Sequence, residues 1–283
     1  MADIGFKDIA LSGTFGRWSG PVFAAALRPA LRAAALALAL PMAVLLLWSH
    51  AAAQEWLPPQ ILPAPALVWE TTAWLITSGE LQRELWASLQ RVAGGLLLGG
   101  GLGLLAGLAF GLSRWADIYI APTIRAFCLV PSLGWLPFFM LIFGIGEVLK
   151  IVLIAKTCFL PLMVSSYEGI RNRPKAWDEV AAVMDLRPLD RLRLVTVPAI
   201  LPGVLTGWRL ALSKGWKALI LVEMISSAAG LGYLMMWGRK AFQLDVVFAT
   251  ILVIGLVGWF LDWAVLSGQR RLTGWSFQGR GQA

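Results

Sequence analysis

The stretch Trp177–Gly203, WDEVAAVMDLRPLDRLRLVTVPAILPG, decides how this chain is organised, because it places acidic and basic residues between two long apolar segments. Residues from Lys175 to Met184 predict a short helix with acids in its first turn, where the helix dipole favours them. The proline after Arg187 disfavours the α conformation at that residue, so the helix must stop before it. A second short helix is predicted over Leu189–Val197. A helix–elbow–helix on the surface of a membrane protein is typical of a docking element for another protein.

The composition is that of a membrane protein. Hydrophobic residues make up 58% of the 283 residues, charged residues make up 14%, and the mean hydropathy is +0.73. A soluble globular chain carries far more charge. The length accommodates about six spans of roughly 20 residues each. We therefore predict an all-α integral membrane protein.

The basic residues are distributed unevenly between the two predicted sides of the membrane. The formal net charge of +8 would suit a nucleic-acid-binding protein. Most of the basic residues, however, fall on one predicted side, which is the positive-inside pattern of membrane proteins. This pattern predicts cytoplasmic termini and no nucleic-acid partner. The few basic residues on the other side are Arg83, Arg91, Lys150, Arg239 and Lys240.

The predicted organisation has four parts. Residues 1–31 form a cytoplasmic arm, residues 32–80 hold the first span and a proline-rich external connection, residues 81–268 form the core with a cytoplasmic loop at 171–199, and residues 269–283 form a basic tail. The first span, Ala33–Trp48, is expected to stay in the membrane, because the segment before it, of about 28 residues, is too long for a signal peptide. The remaining predicted spans are Leu89–Leu112, Ile118–Phe143, Leu149–Tyr167, Ile200–Met224 and Val246–Leu266.

The second predicted span carries a glycine at every fourth position. Such a ladder lies on one face of a helix and allows another helix backbone to approach closely. We therefore predict a helix-packing role for these glycines: Gly95, Gly99, Gly103, Gly107 and Gly111.

The third predicted span is interrupted by Pro131 and Pro137. Prolines in a membrane helix free backbone carbonyls, which is tolerated where the carbonyls are buried in protein or line a cavity. Trp135, Phe138 and Phe139 lie beside these prolines. Two interpretations remain open: a kinked helix that forms the wall of a transport pathway, or a kink that only serves packing.

Among the charged residues of the predicted spans, three lysines and an acid lie where charge is expensive: Lys156, Lys214, Lys217 and Glu223. A charge at the centre of a membrane costs about 3 kcal/mol and usually faces a cavity or a partner. Lys214 and Lys217 share one helix face because they are three residues apart. One interpretation is a polar pathway that favours an anion. The alternatives are that Glu223 neutralises a lysine, or that the lysines extend to the membrane interface.

The sequence offers no catalytic constellation. His50 is the single histidine, and Cys128 and Cys158 lie in apolar segments, where buried thiols are expected. The segment Leu266–Arg270 resembles part of an ABC ATPase signature, but the chain contains no phosphate-binding Gly-x-x-x-x-Gly-Lys-Ser/Thr loop. We expect neither catalysis nor a bound cofactor in this chain.

The charged stretch resembles the EAA loop of ABC-importer permeases. Glu179 takes the Glu place, Ala181 the second Ala place, and Ile200–Pro202 the closing Ile-Leu-Pro. Val180 replaces a small Ala, and Asp185 replaces the elbow Gly, although Asp tolerates a left-handed backbone better than most residues. Together with GLGYL at 230–234 and QRRLT at 269–273, this resembles the nitrate/sulfonate/taurine branch over roughly residues 80–275.

The resemblance implies a type I ABC-importer permease fold in a multi-pass protein of the bacterial inner membrane. It implies a binding-protein-dependent importer of a small anion, working by alternating access. The partners would be a second permease chain (expected to be a copy of this one), an extracytoplasmic binding protein, membrane lipids and cytoplasmic ATPase subunits that hold ATP and Mg. The alternative is an ATP-independent anion transporter or channel, although no inverted repeat supports it. The residues expected to couple to the ATPase are Glu179, Ala181, Ala182, Asp185, Leu186 and Arg187.

Overall fold

The computed structural model describes residues 39–173 and 175–273, and the chain divides into two compact units, residues 1–59 and 60–283. The first unit contains the apolar helix α1, Ala39–Ala53. The beginning of the predicted first span lies outside the described residues, as do the N-terminal arm and residues 274–283 of the tail.

The described part of the second unit consists of helices joined by turns and loops, and its described residues form no strand. A 3₁₀ turn at Ser132–Trp135 precedes α6, and a π-helical turn at Leu192–Thr196 precedes α10. The α-helices are α2 Pro65–Thr77, α3 Glu80–Leu112, α4 Arg114–Tyr119, α5 Ala121–Leu129, α6 Leu136–Phe143, α7 Glu147–Arg171, α8 Lys175–Val183, α9 Pro188–Arg191, α10 Val197–Ser226, α11 Leu231–Lys240 and α12 Leu244–Leu272.

The helices α3, α7, α10 and α12 are long and apolar enough to cross a membrane. A fifth span results if α5 and α6 together cross it. The described residues thus supply four or five of the roughly six spans predicted from the sequence, and α1 is shorter than these helices. The prediction of an all-α multi-span protein is confirmed.

The third predicted span is broken rather than kinked. Helix α5 ends at Leu129, and the direction of the chain changes by 91° between α5 and the segment Ser132–Phe143. Val130, the residue before Pro131, has an extended backbone with ψ 123°. A residue before proline is pushed out of the α region, which accounts for the end of α5 at this point.

The core of the second unit is formed by α3, α7 and α10, with α7 packed against both of the others. All five glycines of the ladder face α7. A Cβ atom added at Gly99, Gly103 or Gly107 would overlap a backbone carbonyl oxygen of α7, those of Ala155, Phe159 and Met163 respectively. Small residues at such positions let two membrane helices pack backbone to backbone. Helices α11 and α2 pack against α12 at the other side of the unit.

Candidate functional site

The charged stretch forms a helix–elbow–helix between α7 and α10. Helix α8 matches the first predicted short helix to within one residue. The second predicted helix is not separate: α9 is followed directly by the π-helical turn Leu192–Thr196, which continues into α10. We refer to Lys175–Thr196 as the coupling segment, because it connects the membrane helices α7 and α10.

The elbow after α8 is made by Asp185, which has φ 48°. This left-handed backbone favours glycine and is tolerated by Asp. The amide of the next residue, Leu186, donates a hydrogen bond of 3.1 Å to the carbonyl oxygen of Ala181. The elbow thus keeps its left-handed turn although Asp occupies the place of glycine.

Helix α8 presents apolar side chains to the outside of the chain. Val180 is 58% exposed, Val183 is 88% exposed and Met184, just after the helix, is 65% exposed. Glu179 is exposed beside them. These four residues, called the α8 surface below, form an apolar patch with one acidic group.

The other expected coupling residues are placed differently. Asp185 and Arg187 are exposed and Leu186 is half-buried. Ala181 is only 2% exposed within this chain, so its side chain is not part of the surface offered to a partner. Ala182 lies in α8, but its side chain is outside the described part of the structure.

An aromatic cluster surrounds the break between α5 and α6. The ring centroid of Trp135 lies 4.3 Å from that of Phe127 and 5.8 Å from those of Phe138 and Phe139. The Lys156 ammonium lies 5.7 Å from the centroid of the Trp135 ring. Four of the residues predicted to line a pathway are therefore brought together here.

The Lys156 ammonium also binds the free backbone carbonyl at the break between α5 and α6. Its Nζ donates a hydrogen bond of 2.7 Å to the carbonyl oxygen of Val130, which has no helical partner because α5 has ended. Beside this contact is a cleft of about 460 Å³. Its walls are apolar apart from the lysine, with Leu98, Leu102, Ile124, Phe127, Phe139 and Phe159 among them.

The two lysines of α10 lie on a different face of the protein. Lys214 and Lys217 are exposed, and so are Leu210 and Leu221 on the same helix. Lys217 lines a small cavity of about 120 Å³ next to an ion pair between α10 and α12. In that pair, Arg209 donates from Nε and Nη2 to the two carboxylate oxygens of Asp262, each at 2.6 Å.

Glu223 is fully buried and pairs with an arginine, not with a lysine of the spans. Its carboxylate accepts hydrogen bonds from Arg91 Nη1 at 2.7 Å, from the Ser88 hydroxyl at 2.9 Å and from the Gly232 amide at 3.0 Å. The alternative that Glu223 neutralises Lys214 or Lys217 is therefore wrong.

Arg91 is the centre of an ionic network in which Arg91 and Glu223 are buried, whereas the side chain of Glu147 is 59% exposed. Arg91 Nε and Nη2 donate to the two carboxylate oxygens of Glu147 at 2.7 and 2.8 Å, and Nη1 also donates to the Ala229 carbonyl at 2.6 Å. Lys150 donates to Glu147 at 2.7 Å, and Glu84 accepts from the Gly230 amide at 2.5 Å. We call the set the Arg91 network: Glu84, Ser88, Arg91, Glu147, Lys150 and Glu223.

This network was not predicted from the sequence. One signal was present, since Glu84, Ser88 and Arg91 follow each other at helical spacing on one face of α3. Their partners on α7 and α10 are more than fifty residues away, which no local pattern indicates. Both cysteines are free thiols, and Cys158 is buried.

Comparison with known proteins identifies the class of this helical bundle. Residues 99–274 match the family described as binding-protein-dependent transport system inner membrane component, so the chain belongs to that family. Within it, the relatives define the branch: the chain is an ABC-transporter permease of the nitrate/sulfonate/taurine type and a multi-pass protein of the inner membrane.

The relatives cover most of this chain. A Bacillus subtilis protein named as the aliphatic sulfonates transport permease SsuC is 36% identical over 244 residues, which are 86% of this chain and 88% of the relative. The Escherichia coli protein of the same name is 35% identical over 79% of this chain and 85% of its own. The E. coli taurine transport system permease protein TauC is 33% identical over 83% of this chain and 87% of its own. These relatives are permease subunits, not ATPases.

The fold also matches a solved transporter. A chain of the MetNI methionine ABC transporter, in an inward-facing crystal form, superposes with a TM-score of 0.59 at 18% sequence identity. The match covers 69% of this chain and 97% of the MetNI chain. The bundle therefore has the type I ABC-importer permease fold.

Proposed function

We propose that this permease is driven by a separate ATPase that docks on the coupling segment, and that it moves a small anion by alternating access. The observation that carries the proposal is the α8 surface. An apolar patch on a connecting helix is exposed in the chain alone and is typical of a protein–protein contact. Closure of the ATPases would move the coupling segment and tilt α7 and α10, which continue from its two ends.

The other partners follow from the class of the relatives. As members of a binding-protein-dependent system, such permeases receive substrate from a binding protein on the far side of the membrane. The coupling segment and both termini would then face the cytoplasm, as the basic residues predict. A second copy of this chain would complete the pathway, within the lipid bilayer. The ATP-independent alternative finds no support among the relatives.

We expect Val183→Asp to detach the ATPase from the permease. Val183 is 88% exposed within the chain, so the substitution costs the permease fold little, whereas a buried charge at the interface is costly. Loss of a central apolar contact typically costs about 2 kcal/mol, which is roughly 30-fold in affinity. Co-purification of the ATPase from membranes and ATP-driven uptake of labelled taurine or ethanesulfonate in proteoliposomes measure the effect.

Two further variants complete this experiment. Glu179→Arg should also reduce transport relative to ATP hydrolysis, because it reverses the one acidic charge of the α8 surface. Glu70→Arg is the matched control, since Glu70 is exposed on α2 and far from the coupling segment in sequence. Full ATPase retention and full uptake in both α8 variants would contradict the docking role.

We further propose that Lys214 and Lys217 face the anion pathway. Both are exposed on a membrane-spanning helix, where contact with lipid would cost about 3 kcal/mol for each charge. A water-filled passage, completed by the second copy, removes most of that cost. The aromatic cluster with Lys156 would form a second wall of the passage, on α5–α7.

The double variant Lys214→Gln with Lys217→Gln should lower anion uptake by about tenfold or more, because two charges that attract the anion are lost. Initial rates of labelled taurine or ethanesulfonate uptake into proteoliposomes measure this. Lys240→Gln is the control, since Lys240 is exposed at the end of α11 and outside the spans. If uptake is the same in the double variant and the control, the lysines do not serve the pathway.

A further inference from the structure

The Arg91 network joins three membrane helices and one loop. Arg91 and Ser88 come from α3, Glu147 and Lys150 from α7, and Glu223 from α10. Arg91 is a single guanidinium that binds the carboxylates of both α7 and α10, and its side chain is 7% exposed. Arginine alone among the side chains has the planar set of donors that can satisfy two carboxylates in this way.

The loop between α10 and α11 is part of the same assembly. Ser88 Oγ accepts a hydrogen bond from the Leu231 amide at 2.9 Å, and Glu84 accepts one from the Gly230 amide. Gly230 has φ 111°, and a Cβ atom there would overlap the Glu223 carboxylate. The backbone of the loop therefore packs directly on the ionic network, and only glycine allows this approach.

The Arg91 network and the coupling segment lie at opposite ends of α7 and α10. Glu147 is the first residue of α7, and Glu223 lies three residues before the end of α10. The coupling segment connects the opposite ends of these helices, Arg171 and Val197. At about 1.5 Å per residue, the 25 residues of α7 separate the two regions by more than 30 Å.

From this placement we propose that Arg91 is a positioning residue for transport, which fixes the ends of α7 and α10 remote from the coupling segment to α3. Helices α7 and α10, which continue from the coupling segment, then move as one body. A displacement of that segment is therefore transmitted to the far side of the membrane, because the two helices cannot tilt independently of each other. The idea rests on the proposed function, because it assigns the coupling segment as the input.

Two spin-label distances, measured by double electron–electron resonance, test the proposal on the complex with its co-purified ATPase in lipid nanodiscs. Val148→Cys with Ile225→Cys reports the network end of α7 and α10, and Leu194→Cys with Leu112→Cys reports the coupling segment against α3, with Leu194 outside the α8 surface. These four positions are exposed. The background is Cys128→Ser, because the remaining Cys158 is fully buried.

With the network intact, we expect the Val148–Ile225 distance to be single and unchanged when ATP is added, while the Leu194–Leu112 distance shifts. In Glu147→Gln, the α7 arm loses its charge while the contact between Arg91 and Glu223 remains. The coupling distance should still shift, but the Val148–Ile225 distribution should broaden and become dependent on ATP. Glu147→Asp, which keeps the carboxylate, should restore the narrow distribution.

The control is Arg239→Gln, since Arg239 is exposed near the end of α11 and is not a member of the Arg91 network. Two results would overturn the positioning role: a Val148–Ile225 distance that shifts with ATP when the network is unaltered, or a Val148–Ile225 distance distribution that stays narrow in Glu147→Gln. A Leu194–Leu112 distance that does not change with ATP overturns the proposed coupling instead. The two failures are therefore distinguishable.

Discussion

Gly99→Ala is expected to prevent stable packing of α3 on α7. The added methyl group would overlap the carbonyl oxygen of Ala155 and would lie only 2.5 Å from the Cα atom of Ala155. These are backbone atoms of a helix, so no side-chain rotation relieves the overlap, and the two helices must separate. Overpacking of a tight interior typically lowers the free energy of unfolding by about 1–3 kcal/mol. We expect a loss near the upper end of that range, because the backbone of a helix has to shift. The midpoint of thermal unfolding in detergent should fall sharply.

The same helix offers a matched control for this prediction. Gly101 is two residues away, and a Cβ atom there has no neighbour within 4 Å. Gly101→Ala should be neutral or raise the unfolding midpoint, because alanine favours a helix over glycine by about 1 kcal/mol. Equal losses in both variants would show that helix propensity or expression, and not the approach of α7, controls the result.

Glu223→Ala is expected to be the most destabilising change in the Arg91 network. The carboxylate is fully buried and accepts from Arg91, Ser88 and Gly232, so its removal leaves several donors without their acceptor. Breaking a buried ion pair by removing one partner costs about 3–5 kcal/mol. Little folded protein should be recovered by size-exclusion chromatography after extraction from membranes.

One variant separates charge from volume at position 223, and a second serves as a control on another helix. Glu223→Gln keeps the shape and one carbonyl acceptor, so it should be intermediate in thermal stability. Glu70→Ala removes an exposed carboxylate on α2 and should leave the unfolding midpoint unchanged. A Glu223→Ala protein as stable as Glu70→Ala would show that the Arg91 network contributes no net stability.

Much of the helical architecture could be predicted from the sequence, because long apolar runs and prolines are local signals. The predicted spans beginning at Leu149 and Val246 lie within α7 and α12. The break at Val130 was underestimated as a kink. Whether a proline bends or interrupts a helix depends on what neighbours offer to the freed carbonyl, and here that neighbour is Lys156, 26 residues further along.

The site was predicted in part. The sequence indicated the coupling segment and the glycine ladder, since both consist of spacings within one segment. It grouped Lys156 with Lys214, Lys217 and Glu223 because all are charged and all lie in spans. The structure distributes them over three places: the helix break, an exposed face of α10 and the Arg91 network. Burial and partner choice depend on contacts between distant segments, and a single sequence carries no direct record of these.

The hydrogen bond between Lys156 and Val130 makes ligand binding and backbone geometry interdependent in the apolar cleft. An anion that paired with the Lys156 ammonium in place of the Val130 carbonyl would leave that carbonyl without its hydrogen-bond donor, at the point where α5 ends. Occupancy of the cleft and the angle between α5 and α6 are then linked quantities. By thermodynamic reciprocity, if a bound ligand destabilises the bend between α5 and α6, then the bend lowers the affinity for that ligand by the same free energy.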